Sequence, residues 1–327
     1  MEATLQAGGG ALEPLRFHLP DGRIAEPFHR APWIDGSAAL DPPLLNHIRG
    51  EWPCVPFGVP PEPRRLVPSW QAVAEGPAEP DVEDSAPDRP HGFGANARWR
   101  LAREEGALSA TVAYPAASAV ARLERRVSPF HEGLGVRIAL EIVARRPCRT
   151  TAGFHPIFRL PGRPGSVRIR PGRFRHGFTY PAPVEPGISR AAPFARFDDL
   201  GAVPAADGTR LALDALPLPF ATEEIVMLTG SDGRIDLEDT EAGIAYRLEW
   251  DASLLPHALI WISNRGRAHA PWAGRNLCLG IEPVASAFDL GAAVSARANP
   301  IAALGERTCL ALRPDEPWSA AITLRVV

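Results

Sequence analysis

The stretch Ser231-Asp232-Gly233-Arg234-Ile235-Asp236-Leu237-Glu238 decides the fold class of this 327-residue chain. Its first three residues have turn chemistry, since aspartate bonds to its own backbone and glycine tolerates left-handed dihedral angles. After them, apolar Ile235 and Leu237 alternate with two acidic residues, which is the period of a strand with one buried face. The stretch therefore predicts a turn that leads into an antiparallel strand.

The same period of two recurs along the chain. It is found in four further segments, which are 167–170, 211–213, 310–312 and 322–326. The run Val136–Val143 suits a helix or a strand, and its β-branched content favours a strand. The 36 prolines and 29 glycines argue against long helices. We therefore expect an all-β protein with few short helices, a large antiparallel β-sandwich in one domain over residues 1–327.

Residues 60–90 differ from the rest of the chain in composition. Eight prolines crowd this segment together with acidic residues. The prolines are Pro60, Pro61, Pro63, Pro68, Pro77, Pro80, Pro87 and Pro90, and the acids include Glu75, Glu79, Asp81, Glu83 and Asp84. This composition predicts a long surface loop. Because the loop leads directly into His91, it is either the rim or lid of a functional site or a plain solvated insertion.

Composition excludes several classes of function. The chain contains no lysine, so it holds neither a Walker P-loop nor a Schiff-base or pyridoxal phosphate site. Its net charge of −3 gives no basic field for nucleic acid. The four cysteines form no CxxC pair, and no His-x-His pair suggests a cupin-like metal enzyme. We therefore expect no cofactor, no metal and no nucleic-acid partner.

The ends and apolar runs of the sequence bear on location. Residues 1–12 lack a basic region followed by an apolar run, so they do not look like a signal peptide. No apolar stretch approaches the ~20 residues of a membrane span. We expect a cytoplasmic protein that has no membrane partner.

Three short motifs carry the ionisable groups that suit proton transfer. They are His91-Gly92-Phe93-Gly94-Ala95-Asn96, His155-Pro156-Ile157-Phe158 and Gly280-Ile281-Glu282-Pro283. Pro156 moves His155 out of the helical region, and histidine titrates near neutral pH. Glu282 follows the almost wholly apolar run Leu277–Ile281, so we expect it at the end of a buried strand, where burial raises the pKa of a carboxyl group.

The order and spelling of these motifs resemble the aldose 1-epimerase (mutarotase) superfamily, over positions from about Arg49 to Phe288. The resemblance implies the galactose mutarotase-like fold, an antiparallel β-supersandwich with the site in a concave face. It also implies that Glu282 is the general base and His155 the general acid, without a cofactor. Because these groups act on the C1 hydroxyl and the ring oxygen, we expect them on opposite sides of one sugar ring.

The resemblance also implies residues that bind the substrate. They are His91 and Asn96 of the first motif, Arg49 in the early segment 46–58, Glu223 in the segment 221–226, and Trp261 in the loop before the catalytic glutamate. A surface ion pair is the alternative for Arg49, and a surface acid is the alternative for Glu223. One or two of Trp52, Trp99, Trp261 and Trp272 are expected to line the site, because sugars present an apolar C–H face.

Two positions depart from the family pattern. Ala95 replaces an arginine, whose contact is either missing or moved to Arg98, and Ile157 replaces a tyrosine.

The resemblance implies interconversion of the α and β anomers of a hexose or related sugar, by a monomer or a homodimer. Two alternatives stay open. One is a hexose-6-phosphate 1-epimerase that uses the basic run Arg163, Arg168, Arg170, Arg173, Arg175 and His176, unless this run is a solvated strand face. The other is a non-catalytic carbohydrate-binding protein of the same fold.

Overall fold

The computed structural model describes residues 1–36, 39–86 and 88–327, so Pro87 of the 60–90 segment lies outside the described residues. The strands, in chain order, are β1 Glu2–Leu5, β2 Leu12–His18, β3 Ile24–Ala25, β4 Pro53–Cys54, β5 Arg100–Glu104, β6 Ala107–Ala113, β7 Val120–Phe130, β8 Gly135–Ala144, β9 Cys148–Thr150, β10 Ala152–Phe154, β11 Ile157–Arg159, β12 Val167–Pro171, β13 His176–Thr179, β14 Arg196–Phe197, β15 Val203–Pro204, β16 Arg210–Leu211, β17 Ala215–Leu216, β18 Thr222–Thr229, β19 Arg234–Asp239, β20 Ile244–Trp250, β21 His257–Asn264, β22 Leu277–Ala285, β23 Leu310–Leu312 and β24 Trp318–Val326. The α-helices are α1 Pro68–Ala74, α2 Gly92–Asn96 and α3 Gly291–Ala296. Within the described ranges, no helix combines the length and the apolar character that crossing a membrane would need.

Two large antiparallel sheets make up most of the molecule. One has eight strands in the order β14-β13-β18-β21-β22-β10-β4, with β11 also paired to β22. The other has nine strands in the order β17-β12-β19-β20-β24-β8-β7-β6-β5. Smaller sheets are formed by β1-β2-β3, by β15-β16 and by β23-β9. The all-β sandwich expected from the sequence is confirmed.

Alternating side chains join the two large sheets in one core. In β19, Ile235 and Leu237 are buried in this core, whereas Asp236 and Glu238 face outward. The run Val136–Val143 forms most of β8, as its β-branched residues predict. Strands of this period present one face to the partner sheet and one face to solvent.

The three central strands of the eight-stranded sheet are buried on both faces. In β18, β21 and β22, every residue except Leu277 is buried. Ile260 and Ile281 point into the core between the sheets, while Leu259 and Trp261 point to the opposite face, where a second apolar cluster covers them. This second cluster surrounds the candidate site.

The segment 60–90 lies largely at the surface, as expected, but it is not a plain loop. It contains α1, whose Trp70 is completely buried with its ring centroid 5.7 Å from that of Phe288. Two of its acids bind backbone amides: Asp84 accepts hydrogen bonds from Ala292 and Ala293, and Glu83 accepts one from Ala119. Glu79 and Asp81 pair with Arg149, so the segment is anchored to the body at several points.

A buried ion pair links the nine-stranded sheet to the chain that enters β4. The Arg125 guanidinium on β7 donates to the Glu51 carboxylate and to the carbonyl of Gly10, and both side chains are almost fully buried. Burial raises the pKa of Glu51, and the charge of Arg125 opposes this rise. Since Trp52 follows Glu51 directly, the pair fixes the start of a segment that reaches the site.

We predict that Arg125→Met lowers the free energy of unfolding by about 3–5 kcal/mol, because it leaves a buried carboxyl group without its partner. The double variant Glu51→Leu/Arg125→Met removes both charges and recovers most of the loss. Urea unfolding of the two variants and the wild type measures this. A loss below about 1 kcal/mol for the single variant would contradict the buried pair.

Candidate active site

Glu282 lies in the middle of β22, on the face that points away from the core between the sheets. It is paired with Leu259 of β21 and only 1% exposed. Two positions earlier, Gly280 shares this face, and a Cβ atom there would lie 2.6 Å from Oε1 of Glu282. The missing side chain at Gly280 therefore leaves the space that the carboxyl group occupies.

The register of the sheet places His155 beside Glu282. Gly153 of β10 pairs with Val284, and Ile157 of β11 pairs with Gly280, so His155 in the break between these strands lies opposite Glu282. The amide of His155 donates to the carbonyl of Trp52. Pro156 has no amide hydrogen to continue the ladder, which is consistent with the break.

His155 and Glu282 are in direct contact inside an aromatic enclosure. Nε2 of His155 lies 3.3 Å from Oε1 of Glu282. The imidazole stacks on Trp52 with centroids 4.1 Å apart, and Trp261 meets it edge-on at 5.9 Å. Contrary to the expectation from the sequence, the two groups lie side by side and not across a ring.

His91 completes a group of three ionisable side chains. Its ring meets that of His155 edge-on at 5.1 Å, and its Nδ1 accepts a hydrogen bond of 3.3 Å from the amide of Gly58. This bond assigns the remaining proton of the neutral imidazole to Nε2. The glycine after it packs on the protein backbone and not on a ligand, because a Cβ atom at Gly92 would lie 1.9 Å from the carbonyl oxygen of Val55.

These residues line a cavity of about 310 Å³. Apolar side chains form most of its wall, and they are Leu44, Leu45, Ile48, Val59, Ile225 and Leu259 with Trp52, Trp261 and Trp272. Three of the four candidate tryptophans therefore line the cavity, one more than expected. Trp99 instead packs in the core between the sheets and donates to the carbonyl of Gly94. An apolar wall with a few convergent polar groups is typical of a small-molecule site.

Burial controls the charge of the polar groups. It raises the pKa of Glu282 well above its usual range, and the negative charge of Asp289 adds to this rise. It lowers the pKa of His155 well below its usual range, and His91 contributes in the same direction. Burial therefore favours the protonated carboxyl group of Glu282 and the neutral imidazole of His155, an arrangement in which the pair carries one exchangeable proton.

Of the seven site residues predicted from the sequence, Glu282, His155, His91 and Trp261 line the cavity, while the other three do not. Arg49 lies 3.8 Å from the carboxylate of Glu13, which agrees with the ion-pair alternative. Asn96 uses its amide within the backbone: it accepts from Leu44 and donates to the carbonyls of Pro90 and Gly92.

Glu223 is completely buried and supports the wall of the cavity. Its carboxylate accepts hydrogen bonds from Ser263, Trp261 and the amide of Gly266, and it lies 3.8 Å from Nε of Arg267. Glu223 is therefore not a surface acid, and it does not line the cavity either. It orients Trp261 and Arg267, which do line the cavity.

Two polar residues of the lining were not predicted from the sequence. Arg267 projects from the loop after β21 and lies over the ring of Trp272, 4.4 Å from its centroid. Asp289 lies in the turn between β22 and α3. Arg267 lies near a predicted site residue, since it follows Trp261, which was expected in a loop but lies in β21.

Solved structures provide an independent comparison of the fold. The chain is similar over 99% of its length to an Escherichia coli K12 protein provisionally named an aldose 1-epimerase, at 16% identity, 95% coverage of that chain and a TM-score of 0.63. It is similar over 99% to galactose mutarotase-like proteins from Clostridium acetobutylicum (12% identity, 92% of that chain, TM-score 0.60) and Lactobacillus casei (15%, 96%, 0.56). The chain has the galactose mutarotase-like fold. No family model matches the sequence, and no curated protein does.

In this mutarotase-like fold, the two departures from the family pattern lie outside the cavity. Ala95 is completely buried in α2, and Ile157 is completely buried in β11. Arg98 is exposed and does not line the cavity, so it does not replace the missing arginine. The side chains at positions 95 and 157 therefore do not form part of the cavity wall.

The basic run at 163–176 also lies outside the lining of the cavity, since none of its six residues belongs to it. Four of its arginines lie within 4 Å of acids, in the pairs Arg163–Glu241, Arg170–Glu238, Arg173–Asp232 and Arg175–Glu306. Arg168 and Arg170 are exposed on β12, which agrees with a solvated strand face. Among the residues that the structure describes, no group of three or more His, Cys, Asp or Glu is arranged to hold a metal ion.

We predict that His91 stays neutral in the folded protein well below pH 6.5, because burial lowers its pKa to about 4. The unfolded chain takes up this proton near pH 6.5, so the free energy of unfolding falls as the pH falls from 6.5 to 4. His91→Asn keeps an acceptor for the Gly58 amide and removes roughly 1–2 kcal/mol of the loss between pH 7 and pH 5. Urea unfolding at both pH values measures the difference, and equal losses in variant and wild type would contradict the prediction.

Proposed function

We propose that this protein is an aldose 1-epimerase that interconverts the α and β anomers of a hexose or related sugar. The observation that carries the proposal is the contact between His155 and Glu282, 3.3 Å apart in a buried cavity. The fold shared with structures named as mutarotase-like proteins supports it.

The proposed reaction needs only proton transfer. Glu282 removes the proton of the C1 hydroxyl as the C1–O5 bond breaks and the C1 carbonyl forms, and His155 gives a proton to O5. Rotation about C1–C2 exposes the other face of the aldehyde, and the same steps in reverse close the ring. Because O1 and O5 are both bonded to C1, an acid and a base that lie side by side can reach both atoms.

The protonation of the pair fits one half of this cycle directly. After ring opening, Glu282 holds the proton and His155 is neutral, which is the state that burial favours in the empty cavity. The cavity is therefore prepared to close an open-chain sugar. To open a ring, the proton must first pass from Glu282 to His155 across their contact, which requires no exchange with solvent.

The walls of the cavity suit a sugar ring. Trp52, Trp261 and Trp272 offer apolar surface to the C–H groups of a pyranose. Nε2 of His91 and the guanidinium of Arg267 are donors for its oxygen atoms. Holding the ring in this orientation contributes to the rate by fixing C1 against the acid–base pair.

We predict that Glu282→Gln and His155→Asn each lower the acceleration of mutarotation by about 10²–10⁴-fold, because each removes one member of the acid–base pair. Sugar binding is largely retained, since the walls are unchanged. Polarimetry of freshly dissolved α-D-glucose and α-D-galactose measures the rate, and calorimetry measures binding.

Glu224→Gln is the matched control. Glu224 is another buried carboxylate, on β18, but it accepts from the amides of Arg190 and Ala191 and does not line the cavity. This variant keeps the wild-type rate per folded molecule. Near wild-type mutarotation by both the Glu282 and His155 variants would refute the assignment. A wild-type protein that accelerates no common aldose or its 6-phosphate, yet binds sugars, would favour the non-catalytic alternative.

A further inference from the structure

Asp289 is an ionisable residue of the cavity that the proposed reaction does not use. It follows β22 in a tight turn, where Phe288 adopts a left-handed conformation with φ of 50° and is completely buried. The backbone carbonyl of Asp289 accepts a hydrogen bond of 3.0 Å from the amide of Val59. This approach requires a glycine before Val59, because a Cβ atom at Gly58 would lie 2.3 Å from that carbonyl oxygen.

The carboxylate of Asp289 is only partly satisfied by the protein. Burial raises the pKa of Asp289, and the nearby Tyr180 hydroxyl opposes this rise. Its Oδ1 atom is buried and has no hydrogen-bond partner among the described residues. A buried acceptor without a donor is unfavourable, so the arrangement is completed when a ligand supplies one.

From this we propose that Asp289 is a specificity-determining residue that accepts a hydrogen bond from one free hydroxyl of a bound monosaccharide. The inference deepens the proposed function and rests on it for the class of ligand. A sugar hydroxyl is a neutral donor, and a carboxylate is a strong acceptor for it. A site built to bond a hydroxyl rejects the analogue that lacks it more strongly than an apolar pocket rejects a change of size.

The charges around Asp289 favour a hydroxyl that carries no phosphate. A phosphate ester at this position would place an anion against the Asp289 carboxylate. Arg267, the arginine of the described lining, is already within 4.0 Å of the carboxylates of both Glu223 and Glu185. Its positive charge is therefore partly neutralised.

The size of the cavity suits a ligand of one ring. Its volume of about 310 Å³ is at the lower end of the range for small-molecule sites, roughly 300–1,000 Å³. A single pyranose whose C1 meets Glu282 and His155 thus presents one of its remaining hydroxyls to Asp289. The class of substrate is an aldose monosaccharide that is unmodified at this hydroxyl.

The test compares wild type and Asp289→Asn on D-glucose and its 2-, 3-, 4- and 6-deoxy derivatives. For the wild type, kcat/KM of mutarotation falls about 10–100-fold for the one derivative that lacks the bonded hydroxyl. For Asp289→Asn, the parent sugar loses a similar factor, and the difference between parent and derivative shrinks to within about threefold. A variant that loses equally on every sugar overturns the proposal, because that pattern indicates a structural role.

Asp84→Asn is the matched control. Asp84 bonds to the first turn of α3, near the same turn of the chain, but does not line the cavity. This variant keeps the wild-type order of preference among the five sugars, even where its stability is lower. The same loss of discrimination in Asp84→Asn would overturn the proposal by assigning the effect to the turn.

Calorimetric binding of the same five sugars separates this inference from the proposed function. If the wild type accelerates no sugar, the epimerase proposal fails, and binding alone decides the role of Asp289. Discrimination against one deoxy sugar that is lost in Asp289→Asn supports the hydroxyl contact. Binding that does not distinguish the five sugars, or no binding at all, overturns it.

Discussion

The site depends on a carboxyl group placed in the middle of a strand that is buried on both faces. β22 lies between β21 and the pair β10 and β11, and its other residues are almost all apolar. Because the Glu282 side chain is almost fully buried, its charged form is disfavoured unless a partner compensates it. His155 lies 3.3 Å away, but Oε1 of Glu282 has no hydrogen-bond partner among the described residues, so the raised pKa that favours the protonated form is the larger contribution. Gly280 leaves the space for this carboxyl group, and the break between β10 and β11 places His155 beside it.

Burial also explains why the neutral forms of the histidine and the glutamate are both favoured. In water, the same pair would be an imidazolium and a carboxylate, but two charges are expensive to bury. Moving the proton to Glu282 keeps the proton count and removes both charges. A sugar that brings its own hydroxyls changes this balance, since it supplies donors and acceptors where the cavity has few. The shared proton can thus lie on Glu282 or on His155. A reaction that runs in both directions needs both of these states.

Much of the fold and part of the site could be predicted from local sequence. Alternation predicted strands such as β19 and β24, β-branched residues predicted β8, and an apolar run that ends in a carboxylate predicted the burial of Glu282. Sequence spelling does not show which way a polar side chain points, so Arg49, Asn96 and Glu223 were assigned to the cavity although each bonds to other parts of the protein. Asp289 gave no signal because its position depends on a turn with a left-handed Phe288 and on the distant Val59. Local composition likewise does not show that Glu83 and Asp84 bind distant amides or that Glu79 and Asp81 pair with Arg149.

The most direct test of the account is a crystal structure of the protein with a bound aldose. We expect one pyranose ring in the cavity, with O1 and O5 each about 2.6–3.2 Å from the carboxyl group of Glu282 or Nε2 of His155. The C–H face of the ring should lie on one of the cavity tryptophans. A ring bound elsewhere on the molecule, or one whose C1 lies away from both Glu282 and His155, would contradict the central claim that these two residues exchange protons with the sugar.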